Sequence, residues 1–271
     1  MQGQLSKMQV RLEQPVQYEL LLGEQVIALN PYLGKRIKLT FTGKITCIHC
    51  GKLTKKSFNQ GYCYPCFARL ARCDLCIMKP ETCHYAHGTC REPAWAETHC
   101  LQDHYVYLAN SSGIKVGITR QNQIPTRWID QGAVQALAII KAQSRHISGL
   151  LEVIIAQHIS DKTSWQQMLK HKVTPIDLKQ QRDELLAVCQ TELTSVSKQF
   201  GDNSFTLLPN ADLISINYPA MRYPDKLKSF NLDVNPIVEG VLEGIKGQYL
   251  LLDSGVINIR KFSGYEIVFL S

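Results

Sequence analysis

Nine of the ten cysteines lie between Cys47 and Cys100, and this clustering constrains the fold more than any other feature of the sequence. Cys47 and Cys50 form one Cys-x-x-Cys pair, and Cys63 and Cys66 form a second pair after twelve intervening residues. Two such pairs present four thiolates to a tetrahedral zinc ion from two turns. Redox-active thiols and free buried cysteines are the alternatives, but they rarely show this paired spacing. The sequence therefore predicts a closed, structural zinc site.

A second group of possible zinc ligands follows directly. Its all-sulfur candidates are Cys73, Cys76, Cys83 and Cys90. His87 or Cys100 can replace one of the last two, so the pattern predicts a second zinc but leaves its ligand set open. A surplus cysteine in such a block packs as a small apolar residue. Because a block this short builds little core of its own, metal would supply part of its folding free energy.

Composition limits the class of protein. The chain has 271 residues, 45% of them hydrophobic and 20% charged, which fits a globular protein of one large domain or a few small ones. No apolar run is long enough to span a bilayer, and the first residues lack the apolar core of a secretory signal. We therefore expect a cytoplasmic protein with no membrane partner, in a reducing compartment where clustered thiols bind metal. The net charge of +7 favours a polyanionic partner without requiring one.

The sequence predicts β-strands near both ends of the chain. QYELLL, QVIAL and KRIKLTFTGKI alternate apolar and polar residues, which predicts an antiparallel sheet in residues 1–45. In residues 205–271, short apolar runs divided by turn residues predict a β-barrel-like unit or a rolled sheet. The N-terminal strands are expected to join it, so that the ends of the chain meet. The zinc-binding block is assigned to residues 46–103, and leucines at helical spacing predict a long connecting helix in 176–204, beginning near Asp177.

Residues 104–175 are predicted to form a small α/β unit between these regions. YVYLA and IKVGIT flank the turn NSSG as a hairpin, TRWIDQG begins a helix near Thr126, and AVQALAII returns as a third strand. ISGLLEVIIAQHI has apolar residues at helical spacing, with Glu152 at the flank of that stripe. Ser160 or Asp161 is expected to cap a further short helix whose Trp165, Met168 and Leu169 side chains face inward. The overall fold class is α+β.

The order of these elements resembles the GIY-YIG nuclease superfamily, in particular its phage-type branch whose second signature reads lysine-x-glycine. The likeness covers residues 104–170. Val106-Tyr107-Leu108 stands at the first signature, and Lys115-Val116-Gly117 stands at the second. Arg127 falls in the expected helix and Glu152 at the expected carboxylate position. The first glycine of the family signature is absent here, because Tyr105 precedes Val106.

This resemblance implies a catalytic site for phosphodiester cleavage. Glu152 would hold one magnesium ion, Tyr107 would orient a water or accept its proton, and Arg127 and Lys115 would contact the nucleic-acid phosphate. Each residue alone also has an ordinary explanation: Tyr107 suits a strand, and Arg127 can pair with Asp130 across a helical turn. His146 and His158 are further candidates without a clear counterpart. The resemblance predicts a metal-dependent nuclease acting on DNA or RNA, and the alternative is a catalytically inactive, zinc-stabilised nucleic-acid-binding protein.

A second resemblance extends over most of the chain. The cysteine block together with the tail motif GIKGQYLLL...NIRKFSGY is similar to an uncharacterised bacterial domain-of-unknown-function family, number 2797. This resemblance implies no activity.

Overall fold

The computed structural model describes residues 1–159, 164–170 and 173–271. Within these ranges the protein combines antiparallel sheets with short helices. The strands are β1 (Gln2–Gln4), β2 (Gln9–Arg11), β3 (Gln17–Leu22), β4 (Gln25–Ala28), β5 (Arg36–Thr46), β6 (Leu53–Thr54), β7 (His104–Asn110), β8 (Ile114–Arg120), β9 (Gln135–Ala142), β10 (Phe205–Leu207), β11 (Ile214–Ser215), β12 (Ile237–Lys246), β13 (Tyr249–Leu252), β14 (Gly255–Asn258) and β15 (Tyr265–Leu270). The helices are α1 (Tyr64–Arg69), α2 (Pro93–His99), α3 (Thr126–Asp130), α4 (Arg145–Ala156), α5 (Trp165–Lys170), α6 (Leu178–Val188) and α7 (Gln190–Phe200).

The largest sheet joins the two ends of the chain. Its strand order is β1-β15-β5-β12-β13-β14, and the short strand β6 pairs with β5. Ile267 of β15 lies opposite Gly3 of β1 on one side and Phe41 of β5 on the other. The predicted meeting of the N-terminal and C-terminal strands is therefore confirmed. Strands β2, β3 and β4 form a separate three-stranded sheet.

The large sheet is open, which corrects the barrel expected for the tail. No closed barrel forms among the described strands, because β1 pairs only with β15 and β14 pairs only with β13. Closure would require those two outer strands to hydrogen-bond along a shared edge. Strand β1 is only three residues long, so it offers too short an edge for such a pairing.

The hairpin predicted in the central segment forms as expected. Strands β7 and β8 pair antiparallel, β9 returns on the other side of β7, and the strand order is β10-β9-β7-β8. Strand β8 therefore lies at the edge of this sheet. Helix α4 covers one face and buries Ile147, Leu151 and Ile155, in agreement with the helical spacing in the sequence. Ser144 caps it by accepting a hydrogen bond from the Ile147 N–H group.

The opposite face of this sheet shares a hydrophobic core with the terminal strands. Tyr107 and Trp128 belong to the same buried cluster as Leu20, Ile37 and Ile267. Residues from 1–45, 104–175 and 205–271 thus pack together, and the division of the chain into five segments remains a prediction.

Two details of the helices after α4 differ from the expected pattern. The long helix predicted in 176–204 is divided into α6 and α7 at Cys189, although Asp177 caps its start by accepting from the Lys179 and Gln180 N–H groups. The caps predicted at Ser160 or Asp161 lie outside the described residues. Ser164 accepts a hydrogen bond from the Gln167 N–H group at the start of α5. In the described ranges, no helix is long and apolar enough to cross a membrane.

We expect Ile267→Ala to lower the free energy of unfolding by about 2–5 kcal/mol, because it removes a buried side chain shared by three strands. Leu270→Ala is the matched control on the same strand, where the side chain is half exposed, and should change stability by less than about 0.5 kcal/mol. Urea unfolding of both variants measures the difference. Equal losses of unfolding free energy in the two variants would contradict the central position assigned to β15.

Candidate functional site

The first two cysteine pairs converge as their spacing predicts. The sulfur atoms of Cys47, Cys50, Cys63 and Cys66 all lie within 4.8 Å of one another. Cys47 follows the end of β5, and Gly51, with φ of +69°, closes the turn after Cys50. Four thiols at this separation match the donor set of a structural zinc ion. The four cysteines can therefore hold a zinc.

The backbone around this cluster prepares one thiol for metal binding. Burial raises the pKa of Cys47, but hydrogen bonds from the backbone N–H groups of Cys50, Cys63 and His49 bring that pKa down to about 6. Burial and the neighbouring thiols raise the pKa of Cys66 to about 12. Because zinc binds thiolates, its binding to this cluster would release protons.

The remaining cysteines of the block separate into two places. Cys73 packs against the four-cysteine cluster in a small hydrophobic group. The other four candidates line a separate small cavity: Cys76, Cys83, Cys90 and Cys100. His87 is not among the residues that line this cavity and instead lies close enough to His146 to affect its pKa.

Replacing Cys50 should remove one zinc ion from the protein. We expect Cys50→Ser to bind one zinc fewer than the wild type and to unfold at lower temperature, because three thiolates hold the metal more weakly. Cys189→Ala is the control, since Cys189 is buried between α6 and α7, far along the chain from the cluster. Native mass spectrometry counts the bound zinc. An unchanged count in Cys50→Ser would contradict the site.

The Tyr107 side chain is held in one position by its surroundings. It is completely buried, its hydroxyl donates to Gln131 Oε1 at 2.8 Å, and its ring meets Trp128 edge-on. Tyr107 lies opposite Gly117 in the β7–β8 register. A Cβ atom at Gly117 would lie 2.7 Å from the Tyr107 hydroxyl oxygen. Gly117 therefore makes room for the Tyr107 side chain.

Glu152 lies among charged groups from three parts of the chain. Burial raises the pKa of its carboxyl, the Arg145 and Arg127 guanidinium groups oppose that shift, and Glu81 adds to it, which gives a pKa of about 7. Burial also raises the pKa of Tyr107, and the nearby Arg127 partly offsets this by charge and hydrogen bonding. Arg127, Tyr107 and Glu152 thus lie close enough to influence one another electrically.

Arg145 is fixed at the junction between α4 and the cysteine block. Its Nη2 atom donates to the Ile77 carbonyl oxygen at 2.6 Å, and its backbone N–H donates to the Cys100 carbonyl oxygen at 2.7 Å. Its Nε atom is buried and has no hydrogen-bond partner among the described residues. The guanidinium group is therefore held in place, and its charge lowers the pKa of Glu152.

An open cleft of about 280 Å³ begins at Glu152. One wall is α4, a second is Val116 of the edge strand, and the third is Pro80 and Glu81 of the cysteine block. Gly149 allows this third wall to approach, because a Cβ atom there would lie 2.6 Å from Pro80 Cγ and 2.8 Å from the Glu81 nitrogen. The cleft is thus built jointly by the hairpin unit and the cysteine block.

Some predicted residues lie at this site and others do not. Lys115 lies on β8 opposite Ala109, two residues from Gly117. The pairing of Arg127 with Asp130 does not form; Asp130 binds Lys7 instead, at 3.1 Å. His146 packs edge-on against Phe200.

The structure adds Arg145 and Glu81 to the neighbourhood of Glu152. Arg145 could have been found from the sequence, because it precedes Glu152 by seven positions, two helical turns on one face. Glu81 carries no such signal, since it reaches the cleft through the irregular path of the cysteine block.

The fold and the first cluster define the class: a protein of mixed helices and antiparallel sheets with a four-cysteine site able to hold zinc. The model of one family, described as a protein of unknown function (DUF2797), matches residues 34–267, and the chain belongs to that family. This confirms the resemblance that extends over most of the chain. No curated protein and no solved structure shows significant similarity to it, and the GIY-YIG resemblance stays a prediction.

The raised pKa of Glu152 predicts a pH dependence of stability in magnesium-free buffer. With a folded pKa near 7 against an ordinary 4.5, the folded protein keeps a proton that the unfolded chain has released. The unfolding free energy of the wild type, compared with that of Glu152→Gln, should therefore fall as pH rises from about 4.5 to 7 and level off above 7. Urea unfolding of both proteins across this range measures the difference, and parallel curves would contradict the assignment.

Gly117→Ala should destabilise the protein by about 1–3 kcal/mol, because the new methyl group collides with the buried Tyr107 ring. In a Tyr107→Ala background the same change should cost less than about 0.5 kcal/mol. A double-mutant cycle from denaturant unfolding measures this coupling. Additive losses would show that the two residues do not restrict each other.

Proposed function

We propose that this protein is a metal-dependent nuclease that cleaves phosphodiester bonds of DNA or RNA. The observation that carries the proposal is the half-buried Glu152 carboxylate, which lines an open cleft. Arg127 and Arg145 lie close enough to lower its pKa, although neither is among the described residues that line the cleft. One carboxylate with free space beside it suits magnesium, which keeps most of its ligands as water. Arg127 suits a phosphodiester, since a guanidinium group can bind phosphate oxygens in a bidentate manner. Arg145 is held by the Ile77 carbonyl oxygen and would contribute through its charge.

The roles of the residues follow from their environments. Glu152 would hold the magnesium ion, which would lower the pKa of a bound water and offset phosphate charge. Arg127 and Lys115 would bind the scissile phosphate, and Arg145 would add positive charge beside Glu152. Tyr107 is buried, has a raised pKa and already donates to Gln131, so we assign it to orienting the water rather than to removing its proton.

The strand arrangement supports the proposal. The order β8-β7-β9, with α3 after the hairpin and α4 after the third strand, is the order implied by the resemblance to GIY-YIG nucleases. The register also places Gly117 of the lysine-x-glycine signature directly opposite Tyr107. Fold alone does not establish function, so the claim depends on the charged groups around Glu152.

Magnesium-dependent cleavage of plasmid DNA, single-stranded DNA and RNA tests the proposal. We expect Glu152→Gln and Arg127→Ala to lower the cleavage rate by about 10²-fold or more, because the first removes the magnesium ligand and the second removes a cation that stabilises the transition state. Glu192→Gln and Arg222→Ala are matched controls at exposed positions and should keep wild-type rates. Equal activity in the wild type and Glu152→Gln would contradict catalysis at this site.

The alternative is a catalytically inactive nucleic-acid-binding protein, and the net charge of +7 supports it because nucleic acid is negatively charged. A binding assay distinguishes it from the nuclease. Binding whose affinity falls linearly with salt on logarithmic axes, without cleavage, would support it. Absence of binding at low salt would reject both functions.

A further inference from the structure

We infer that a second zinc ion binds Cys76, Cys83, Cys90 and Cys100, and that Cys73 is not one of its ligands. This inference does not depend on the nuclease proposal. Three observations support it: four cysteines line one cavity, the surrounding segment buries few apolar side chains, and the other possible ligands have other contacts.

The four thiols share one enclosed space. All four cysteines line a cavity of about 20 Å³, together with Ile77, Trp95 and Ala96. A space of this size admits about one water-sized particle and no organic ligand. The sulfur atoms of the four cysteines are not all within 4.8 Å of one another, unlike those of the first cluster, so a bound zinc would draw them together. Four soft sulfur donors around one small cavity are the donor type of a closed zinc site.

The segment from residue 74 to 99 lacks a hydrophobic core that would hold it in place. Of its residues, only Pro80 and Ala96 are buried, whereas Leu75 and Met78 are largely exposed. Its regular structure is three single-turn 3-10 helices and the seven-residue helix α2. A segment that buries so little apolar surface needs a cross-link, and a four-thiolate metal site supplies one.

Cys73 is occupied elsewhere. It belongs to the hydrophobic group that contains Cys47, Cys63 and Cys66, and it does not line the second cavity. The Cys-x-x-Cys spacing of Cys73 and Cys76 therefore does not mark a shared site. Cys73 lies beside the first cluster and Cys76 faces the second.

A competing set of ligands lines part of the same cavity. The ligand atoms of Asp74, Cys76 and His84 lie within 4.8 Å of one another. Asp74, however, forms an ion pair with Arg91 at 2.7 Å, and His84 Nδ1 lies 2.7 Å from the Thr89 hydroxyl. This set contains one sulfur donor, whereas the cavity offers four, so the four thiols are the better match to a closed zinc site. We therefore assign Asp74 and His84 to the surroundings of the metal.

The second site would also fix one wall of the cleft. The chain between Cys76 and Cys83 includes Ile77, whose carbonyl holds Arg145, and Pro80, which packs on Gly149. The Cys100 carbonyl accepts from the Arg145 N–H group. A metal bound to Cys76, Cys83 and Cys100 would thus clamp the wall and the start of α4 together.

Zinc counting by native mass spectrometry distinguishes the ligand sets. We expect two zinc ions in the wild type, two in Cys73→Ser, and one in both Cys90→Ser and Cys100→Ser. One zinc in the wild type, loss of zinc in Cys73→Ser, or two zinc ions in Cys100→Ser would overturn the inference. A wild-type mass lower by two hydrogen atoms, indicating a disulfide among these cysteines, would also overturn it.

Cobalt substitution keeps the test valid if a variant fails to fold. Titration of metal-free wild type with Co²⁺ should give tetrahedral thiolate absorption that saturates at two equivalents. Saturation at one equivalent would contradict the second site.

Hydrogen exchange adds a local readout: amides of residues 77–82 should exchange faster in Cys90→Ser than in the wild type, whereas Cys50→Ser should leave them unchanged. The opposite pattern would contradict the clamp.

Discussion

The contact between α4 and the cysteine block is the interaction on which the candidate site depends. Gly149 lets Pro80 and the Glu81 backbone approach the helix more closely than any side chain would permit. Arg145 then joins the two parts through the Ile77 and Cys100 carbonyl oxygens. Without this contact Glu152 would lie on an exposed helix face, where water would keep its pKa near the ordinary value. The cysteine block thus does more than stabilise itself, because it supplies the third wall of the cleft.

A half-buried carboxylate beside two guanidinium groups would normally have a lowered pKa. Here burial outweighs the two cations, and Glu81 reinforces it. A group in this balance changes its charge readily when a cation arrives, because binding a divalent metal favours the ionised form. The same balance lowers the stability of the folded protein when no cation is bound, as is common at sites that bind ligands.

The sequence allowed much of the fold to be predicted, for identifiable reasons. Strands β3, β5, β7 and β8 alternate apolar and polar residues or carry continuous apolar runs, and α4 places Ile147, Leu151 and Ile155 at helical spacing, so local periodicity was sufficient. The open form of the large sheet was not predictable, because it depends on which distant strands pair at the edges. The sequence offered Cys100 only as an alternate to Cys83 or Cys90, because the irregular chain between Cys76 and Cys100 has no periodicity from which its path could be predicted.

Helix α3 carries Arg127 and is too short to hold its position alone. Asp130 at its end is buried and binds both Lys7 from the N-terminal region and Gln248 from the tail motif GIKGQY.

Gly247 of that motif comes close to the Asp130 carbonyl, where a Cβ atom would lie only 3.1 Å away. Tyr218 donates to the Ala133 carbonyl oxygen just after the helix. The two ends of the chain therefore fix the helix that presents Arg127, while the cysteine block fixes the helix that presents Glu152. The tail motif and the cysteine block thus each position one of two charged groups that lie close enough to affect each other's environment.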